Sequence, residues 1–293
     1  MPLAGSCRKD NLRKNRTYPR PIFSFFADMK IPFDYHMHST FSEDGVSSPE
    51  KMCRQAIKLG LPEIGFTEHW DVGPYEKNPR FFQPEPWYAE LERLRDLFVG
   101  KLIIRAGIEV AEPHLYPQPA AEVLKRTPFD YVLGSVHFVG PYFIFDEAYF
   151  RAQAADEVYR AYFTEVETML QTADLDILAH LDVPVRTAKP IFGYDPARYE
   201  DQIRRILRMV IDRNLALDVN AAGLRKAAQN LMPDPLILKW YAGMGGERVT
   251  LGSDAHTSSQ VGLHLDAALE AIQAAGISHI TQFERRQARL IPL

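Results

Sequence analysis

From Ile31 onward, short apolar runs alternate with longer amphipathic stretches. The runs occupy residues 33–39, 63–69, 102–110, 131–138, 177–183, 216–222 and 249–253. They are rich in Val, Ile, Phe and Leu and lack strict alternation, the pattern of strands covered on both faces. Between them, helical periodicity opens after Ser48, which is placed as an N-cap with Pro49 at the first helical position. Met52, Cys53, Ala56 and Ile57 then share one face before a stop at Gly60. Further helices are predicted over 86–98, 146–170, 196–214, 233–241 and 260–275. Seven apolar runs interleaved with these six helices predict a parallel sheet with crossover helices. No linker-like tract and no repeat divides residues 31–293, so one domain is expected, built as a closed or nearly closed α/β barrel.

Composition narrows the function classes. The 293 residues are 46% hydrophobic and 25% charged, ordinary for a folded soluble chain. A net charge of -4 argues against wholesale nucleic-acid binding, although it leaves room for a local cationic pocket. No apolar run reaches the roughly 18–20 residues of a membrane span. Two cysteines, Cys7 and Cys53, can build neither a disulfide framework nor a thiolate zinc site. The expected location is therefore the cytoplasm, with no membrane or nucleic-acid partner. Residues 1–30 stand apart, with seven basic residues against two acidic ones, which leaves 27 basic and 36 acidic in the body. They lack the unbroken apolar core of a secretory signal. They are expected to form a disordered basic extension, upstream of a start at Met29, rather than a targeting peptide or an anion-binding arm.

Six of nine histidines sit in or just beyond the apolar runs: His36, His38, His69, His137, His180 and His256. Carboxylates recur at matching places, with Glu109 ending the third run, Asp254 following the last and Asp44 in the loop after the first. In a parallel barrel the carboxyl ends of all strands meet at one face, so these side chains are predicted to converge. Metal ions are the simplest physical reason to assemble them. A His, Asp and Glu set without thiolate suits Zn, Mn or Fe. His36 and His38, two apart on an extended segment, share a face. Glu68 is expected to point to the opposite side of its strand from His69 and to act behind the ligands. His114, His264 and His279 fall outside the pattern.

Those residues lie in motifs that resemble the PHP family, named for polymerase and histidinol phosphatase domains. The stretches are Asp34-Tyr35-His36-Met37-His38-Ser39, Phe41-Ser42-Glu43-Asp44-Gly45, Gly65-Phe66-Thr67-Glu68-His69, Gly107-Ile108-Glu109, Leu133-Gly134-Ser135-Val136-His137-Phe138, Ala179-His180-Leu181-Asp182 and Gly252-Ser253-Asp254-Ala255-His256. Within the family, Gly134–Phe138, Val219-Asn220-Ala221-Ala222-Gly223-Leu224-Arg225-Lys226 and the closing Phe283-Glu284-Arg285-Arg286 resemble the histidinol-phosphatase branch. The resemblance implies a distorted (β/α)₇, TIM-like barrel carrying two or three divalent ions. It implies one ion on His36, His38, Glu109 and Asp254, a second on Glu109, His137 and His180, and a third on Asp44, His69 and His256. Glu43 competes with Asp44 for the last place.

The activity so implied is hydrolysis of L-histidinol phosphate to L-histidinol and phosphate, a step of histidine biosynthesis. Metal ions activate water and neutralise phosphoryl charge. Asp254 is expected to accept or relay the proton, and His256 to help seat phosphate. No DxDxT nucleophile motif is present, so no covalent phosphoenzyme is expected. Arg186, Arg225 and Lys226 are candidates for binding the substrate phosphate, because a guanidinium offers a bidentate fork. Phe138 and Asn220 are placed in the pocket, and Trp70 and Tyr75 in a covering loop. The alternatives are a PHP phosphoesterase acting on nucleotides or nucleic-acid ends, and a metal-binding barrel without catalysis.

Overall fold

In the computed structural model, residues 31–293 are described and form one compact unit. Expectations for the basic extension and for Cys7 lie outside the described residues. The strands in chain order are β1 (Glu63–Trp70), β2 (Ile103–Ala111), β3 (Tyr131–Ser135), β4 (Phe138–Val139), β5 (Tyr142–Phe143), β6 (Ile177–Leu178), β7 (Ala216–Asn220), β8 (Val249–Gly252), β9 (His279–Glu284) and β10 (Gln287–Pro292). The helices are α1 (Pro49–Leu59), α2 (Pro84–Leu97), α3 (Pro117–Arg126), α4 (Glu147–Arg151), α5 (Ala155–Thr172), α6 (Val185–Phe192), α7 (Glu200–Asp212), α8 (Pro235–Gly243) and α9 (Leu265–Ala274).

Six strands pair in parallel in the order β1-β2-β3-β6-β7-β8. Helices that connect parallel strands must lie on the sheet faces, which is why the strand residues are nearly all buried. The sheet curls, because one segment reaches both of its edges. Tyr35 N–H donates to Leu251 O at 2.8 Å, and Gly65 N–H donates to Asp34 O at 2.8 Å. Further along, His38 N–H donates to Ala255 O and Thr67 N–H to Met37 O, each at 2.8 Å. The predicted strand over 33–39 is thus present as isolated bridges rather than as a continuous ladder. Within the curl, the Tyr131 ring lies so close to Gly65 that a Cβ there would fall 1.8 Å from its hydroxyl. Only glycine admits the ring.

Helix α1 has the predicted Ser48 cap and stops at Gly60 in the left-handed conformation. Other boundaries differ for physical reasons. The predicted strands over 131–138 and 177–183 end early, at Ser135 and Leu178: β3 stops with the last residue of its partner β2, and after β6 the chain turns at His180, whose φ is 20°. The predicted helix over 146–170 is broken between α4 and α5. The break lets Tyr149 line the central cavity while Val158, Tyr159 and Tyr162 bury against the body. The helix expected over 196–214 begins as a 3₁₀ turn at Pro196–Tyr199. Helices α3 and α6 escaped prediction because Pro117, Pro119, Pro184 and Pro190 read as punctuation. Pro117 and Pro184 instead stand at helix starts, where no intrahelical N–H is required. The antiparallel hairpins β4–β5 and β9–β10 were likewise not foreseen. Among the described residues no helix is long and apolar enough to cross a membrane.

Candidate metal centre

Strand register brings the functional side chains to one height. His69 on β1 pairs directly with Glu109 on β2. His137 follows β3 by two residues, His180 follows β6 by two, and Asp254 follows β8 by two. His36 and His38 project from the segment that joins the sheet edges. Glu109 is the hub, fully buried. Its Oε1 lies 2.9 Å from His180 Nε2 and 3.5 Å from His137 Nε2. Its Oε2 lies 3.0 Å from His69 Nδ1, 3.5 Å from His36 Nε2 and 3.5 Å from His38 Nε2. Asp254 Oδ1 is 3.6 Å from His38 Nε2 and 3.4 Å from His256 Nδ1. Exposed Asp44 reaches His256 Nε2 at 2.9 Å and His69 Nε2 at 3.6 Å. All nine candidate ligands named from the sequence therefore stand in one cluster.

The chemistry of the donors fits a divalent cation. His36 Nε2, His38 Nε2, His69 Nδ1 and Glu109 Oε2 are buried and have no hydrogen-bond partner among the described residues. Leaving each such group unmatched costs about 1–3 kcal/mol, and here they face one another, where a cation would match them together. Four triads have donor atoms within 4.8 Å of one another: His36–His38–Asp254, His36–Glu109–His180, His38–His69–His256 and His69–Asp71–His137. His36–His38–Asp254 falls within the first expected set, the other three triads cut across the sets, and the last adds Asp71, which the sequence does not single out. Asp71 Oδ1 lies 3.5 Å from His137 Nδ1. Its signal was an acid two residues after a strand-end histidine. Cys53, the only cysteine described, is buried in α1 and is no part of the cluster.

The buried charges of the cluster are set by one another. Burial, reinforced by His69 and His256, holds His38 well below the usual histidine range, as a neutral imidazole. Burial opposes ionisation of Glu109, but His36 and His137 outweigh it and keep the carboxylate ionised. Burial likewise opposes the charge on Asp254, which His36 and His256 hold below the ordinary range. His137, despite burial, is pushed up to about 10 by Glu109 and Asp71.

A supporting layer holds these groups. Glu68 faces away from the cluster, accepting hydrogen bonds from Ser39 N–H at 2.9 Å and the hydroxyls of Ser39 and Ser42 at 2.5 Å. Ser42 Oγ lies 3.4 Å from His38 Nδ1. Glu112 was not anticipated. It accepts the main-chain N–H of His137 at 2.5 Å and of Phe138 at 3.0 Å. Burial raises its carboxyl to about 7. Glu112, His180 and Asp254 have φ of 44°, 20° and 53°, rare values for residues with a Cβ. Such strain concentrates where the surrounding structure fixes a functional geometry.

The cluster floors a cavity of about 1260 Å³, walled by Tyr75, Phe138, Phe143, Phe145 and Tyr149, with Glu43 and Glu76 among its acids. Burial and the neighbouring Asp71 raise Glu76 to about 7. Of the three cations nominated from sequence, Arg186 lines this space, 3.4 Å from Asp254 Oδ2 and 4.7 Å above the Phe145 ring. Arg225 does not line it. Its guanidinium donates to the carbonyls of Ser253 at 2.7 Å and Asp254 at 3.0 Å. Lys226 is exposed and also lies outside the cavity lining. Asn220 is buried behind His36, 3.3 Å from Asp218. Trp70 packs edge-on against Phe82, outside the lining. His114 pairs with Glu165 at 3.0 Å, and His264 and His279 stay apart from the cluster.

A curled parallel sheet with a histidine–carboxylate cluster at its carboxyl end defines a class of metal-binding α/β proteins. The family described as PHP domain matches residues 34–222, and this chain belongs to that family. It is 31% identical to a probable histidinol-phosphatase of Deinococcus radiodurans, over 86% of this chain and 97% of that protein. It is 29% identical to the histidinol-phosphatase of Lactococcus lactis, over 85% of this chain and 93% of that one. The crystal structure of the Lactococcus lactis histidinol phosphate phosphatase, complexed with zinc, L-histidinol and phosphate, superposes with a TM-score of 0.81. That likeness has 26% identity and covers 88% of this chain and 98% of that one.

Proposed function

We propose that this chain hydrolyses L-histidinol phosphate to L-histidinol and inorganic phosphate, in histidine biosynthesis and in the cytoplasm. The observation that carries the reading is Glu109 ringed by five imidazoles, with unmatched donor atoms on the floor of an open cavity. His36, His38, His69, Glu109, His137, His180, Asp254 and His256 would hold two or three divalent ions, with Asp44 and Asp71 completing the outer positions. Bound there, Zn, Mn or Fe would polarise the phosphoryl oxygens and lower the pKa of water at neutral pH. The finer fold belongs to the same proposal: segment 33–38 serves as a seventh stave, closing a distorted (β/α)₇ barrel that spans residues 31–293.

The chain's own groups then have distinct tasks. Arg186 offers its guanidinium to the phosphate, held in place by Asp254 and Phe145. Asp254 takes up or passes on the proton exchanged as the P–O bond to the alcohol breaks. His256, 2.9 Å from Asp44, orients toward the phosphate oxygens. Arg225 acts at one remove by fixing the carbonyls of Ser253 and Asp254. The aromatic walls exclude water and suit a flat imidazole. Asp71, Glu43 and Glu76 give the cavity an acidic side, which favours a cationic small molecule over a nucleic-acid polyanion.

The test measures phosphate release by zinc-loaded protein from L-histidinol phosphate, nucleoside monophosphates and single-stranded DNA. A kcat/KM for histidinol phosphate at least ~10²-fold above the others supports the proposal, a discrimination of about 2.7 kcal/mol. Equal or greater turnover of the nucleotides or DNA overturns it.

A further inference from the structure

Asp218 is an acid in the middle of a buried strand, 1% exposed and on no surface of the cavity. Its Oδ2 sits 2.9 Å from His36 Nδ1. The same oxygen lies 3.4 Å from the main-chain N–H of His180 and 3.3 Å from Asn220 Nδ2. The Asn220 orientation is fixed independently, because its Oδ1 accepts Ala222 N–H at 2.9 Å, which turns the amide NH₂ toward Asp218. Every contact on Oδ2 is therefore a donor facing an acceptor. The His36 ring carries its proton on Nδ1, because the carboxylate at 2.9 Å can only accept and outweighs the longer 3.4 Å approach of the Asn220 amide to the same nitrogen. In the neutral form that can ligate a cation, an imidazole protonated there has its lone pair on Nε2, and Nε2 is the atom that faces Glu109 at 3.5 Å without a hydrogen-bond partner among the described residues.

The packing leaves no slack in this arrangement. A Cβ on Gly252 of the neighbouring strand β8 would fall 2.4 Å from His36 Cβ and 2.7 Å from Asp218 Oδ1. Only glycine lets β8 close over the pair. His180, whose φ of 20° is strained, has its N–H directed at the same carboxylate. One buried oxygen thus touches two members of the His36–Glu109–His180 triad, both from the side away from the donor atoms.

We infer that Asp218 is the positioning residue of the metal centre: its single carboxylate oxygen selects the His36 tautomer that can ligate a cation and steadies the turn that presents His180. Resting on the metal-dependent reading above, this predicts that Asp218 sets affinity for the ion without touching it. Carboxylates that orient ligand imidazoles in this way change metal affinity by about 10–100-fold when removed.

The experiment compares the full-length wild-type chain with Asp218→Asn and Asp218→Ala. Zn²⁺ affinity is measured by chelator competition, and the His36 tautomer by long-range ¹H–¹⁵N correlation of the imidazole. Asp218→Asn preserves volume and so keeps the test valid if the alanine variant fails to fold. The expected result is a ~10-fold weaker Zn²⁺ affinity for Asp218→Asn, a larger loss for Asp218→Ala, and a His36 no longer held as one tautomer. A folded Asp218→Asn protein with wild-type Zn²⁺ affinity overturns the inference while leaving the metal centre intact. A wild-type chain that binds no Zn²⁺ overturns the metal reading, and this inference with it.

Discussion

Two buried carboxylates on adjacent strands show what separates a structural polar cluster from a functional one. Glu63 opens β1 at the amino end of the sheet, and Glu109 lies near the end of β2 at the carboxyl end. Both are essentially inaccessible. Glu63 is saturated from within: Tyr35 donates its hydroxyl, Arg105 Nε donates at 2.8 Å, and Gln282 Nε2 donates at 2.9 Å. A cationic partner and two neutral donors match both oxygens. Glu109 is surrounded instead by histidines, and its Oε2 together with three imidazole nitrogens is left without a hydrogen bond. Tyr35 and His36, neighbours in the chain, serve opposite ends of the same curl. Burial alone therefore does not mark function; the partners do. A cluster whose polar atoms satisfy one another holds the fold, and one whose atoms stay unmatched is completed by something from outside.

The largest expected effect comes from breaking the unmatched cluster. Glu109→Gln removes the charge shared by five imidazoles and should lower kcat/KM for histidinol phosphate by ~10³-fold or more, about 4 kcal/mol. Metal analysis of the purified variant should show loss of bound ions, while the chain remains folded by circular dichroism.

The matched cluster should behave in the opposite way. Glu63→Ala leaves Arg105 and Tyr35 without their acceptor and should destabilise the fold by about 3 kcal/mol, read from denaturant unfolding. Metal content per folded chain should stay at the wild-type level. If Glu63→Ala strips metal as Glu109→Gln does, the contrast between the two ends fails.

A smaller effect is expected at the cavity wall. Arg186→Ala should reduce kcat/KM by ~10²-fold, about 2.7 kcal/mol, with metal content preserved. An unchanged kcat/KM would remove Arg186 from substrate recognition.

The smallest effect is graded with pH. Burial pulls His137 down, but Glu109 and Asp71 prevail, so its pKa stands at about 10 against an ordinary 6.5. In the metal-free chain the proton on His137 thus stabilises the fold fully below about 6.5, and this contribution is lost as pH rises through about 10. A cation must displace that proton, so metal affinity should rise with pH across this window, by up to about tenfold per unit for one proton released. Chelator competition from pH 7 to 9 measures the slope; a flat profile would show that His137 is not protonated in the metal-free chain.

Much of this was legible in the sequence, and most of the exceptions depend on partners distant along the chain. Strand-end histidines and acids were visible because their chain positions coincide with the ends of apolar runs, and parallel strands gather such ends at one face. The α1 boundaries were visible because Ser48, Pro49 and Gly60 act locally. Asp218, Asp71 and Glu112 were missed because their roles depend on partners far along the chain. Asp218 had one signal, an acid inside the apolar run Leu217-Asp218-Val219. The grouping of ligands into triads also depends on side-chain directions, which spacing does not contain. Arg225 and Lys226 were nominated by position after β7. The Arg225 guanidinium is instead taken up by the carbonyls of Ser253 and Asp254, a competition between main chain and substrate that no motif displays. Helices α3 and α6 were hidden by their prolines: Pro117 opens α3 and Pro184 precedes α6, positions that suit proline, while Pro190 is carried inside α6.

The most direct measurement is anomalous X-ray scattering at the zinc edge from crystals of the zinc-loaded chain. At least two strong peaks are expected within the ring formed by His36, His38, His69, Glu109, His137, His180, Asp254 and His256, with Glu109 ligating at least one of them. Zinc bound elsewhere, or a ring that remains without any peak under saturating zinc, would contradict the proposed metal centre.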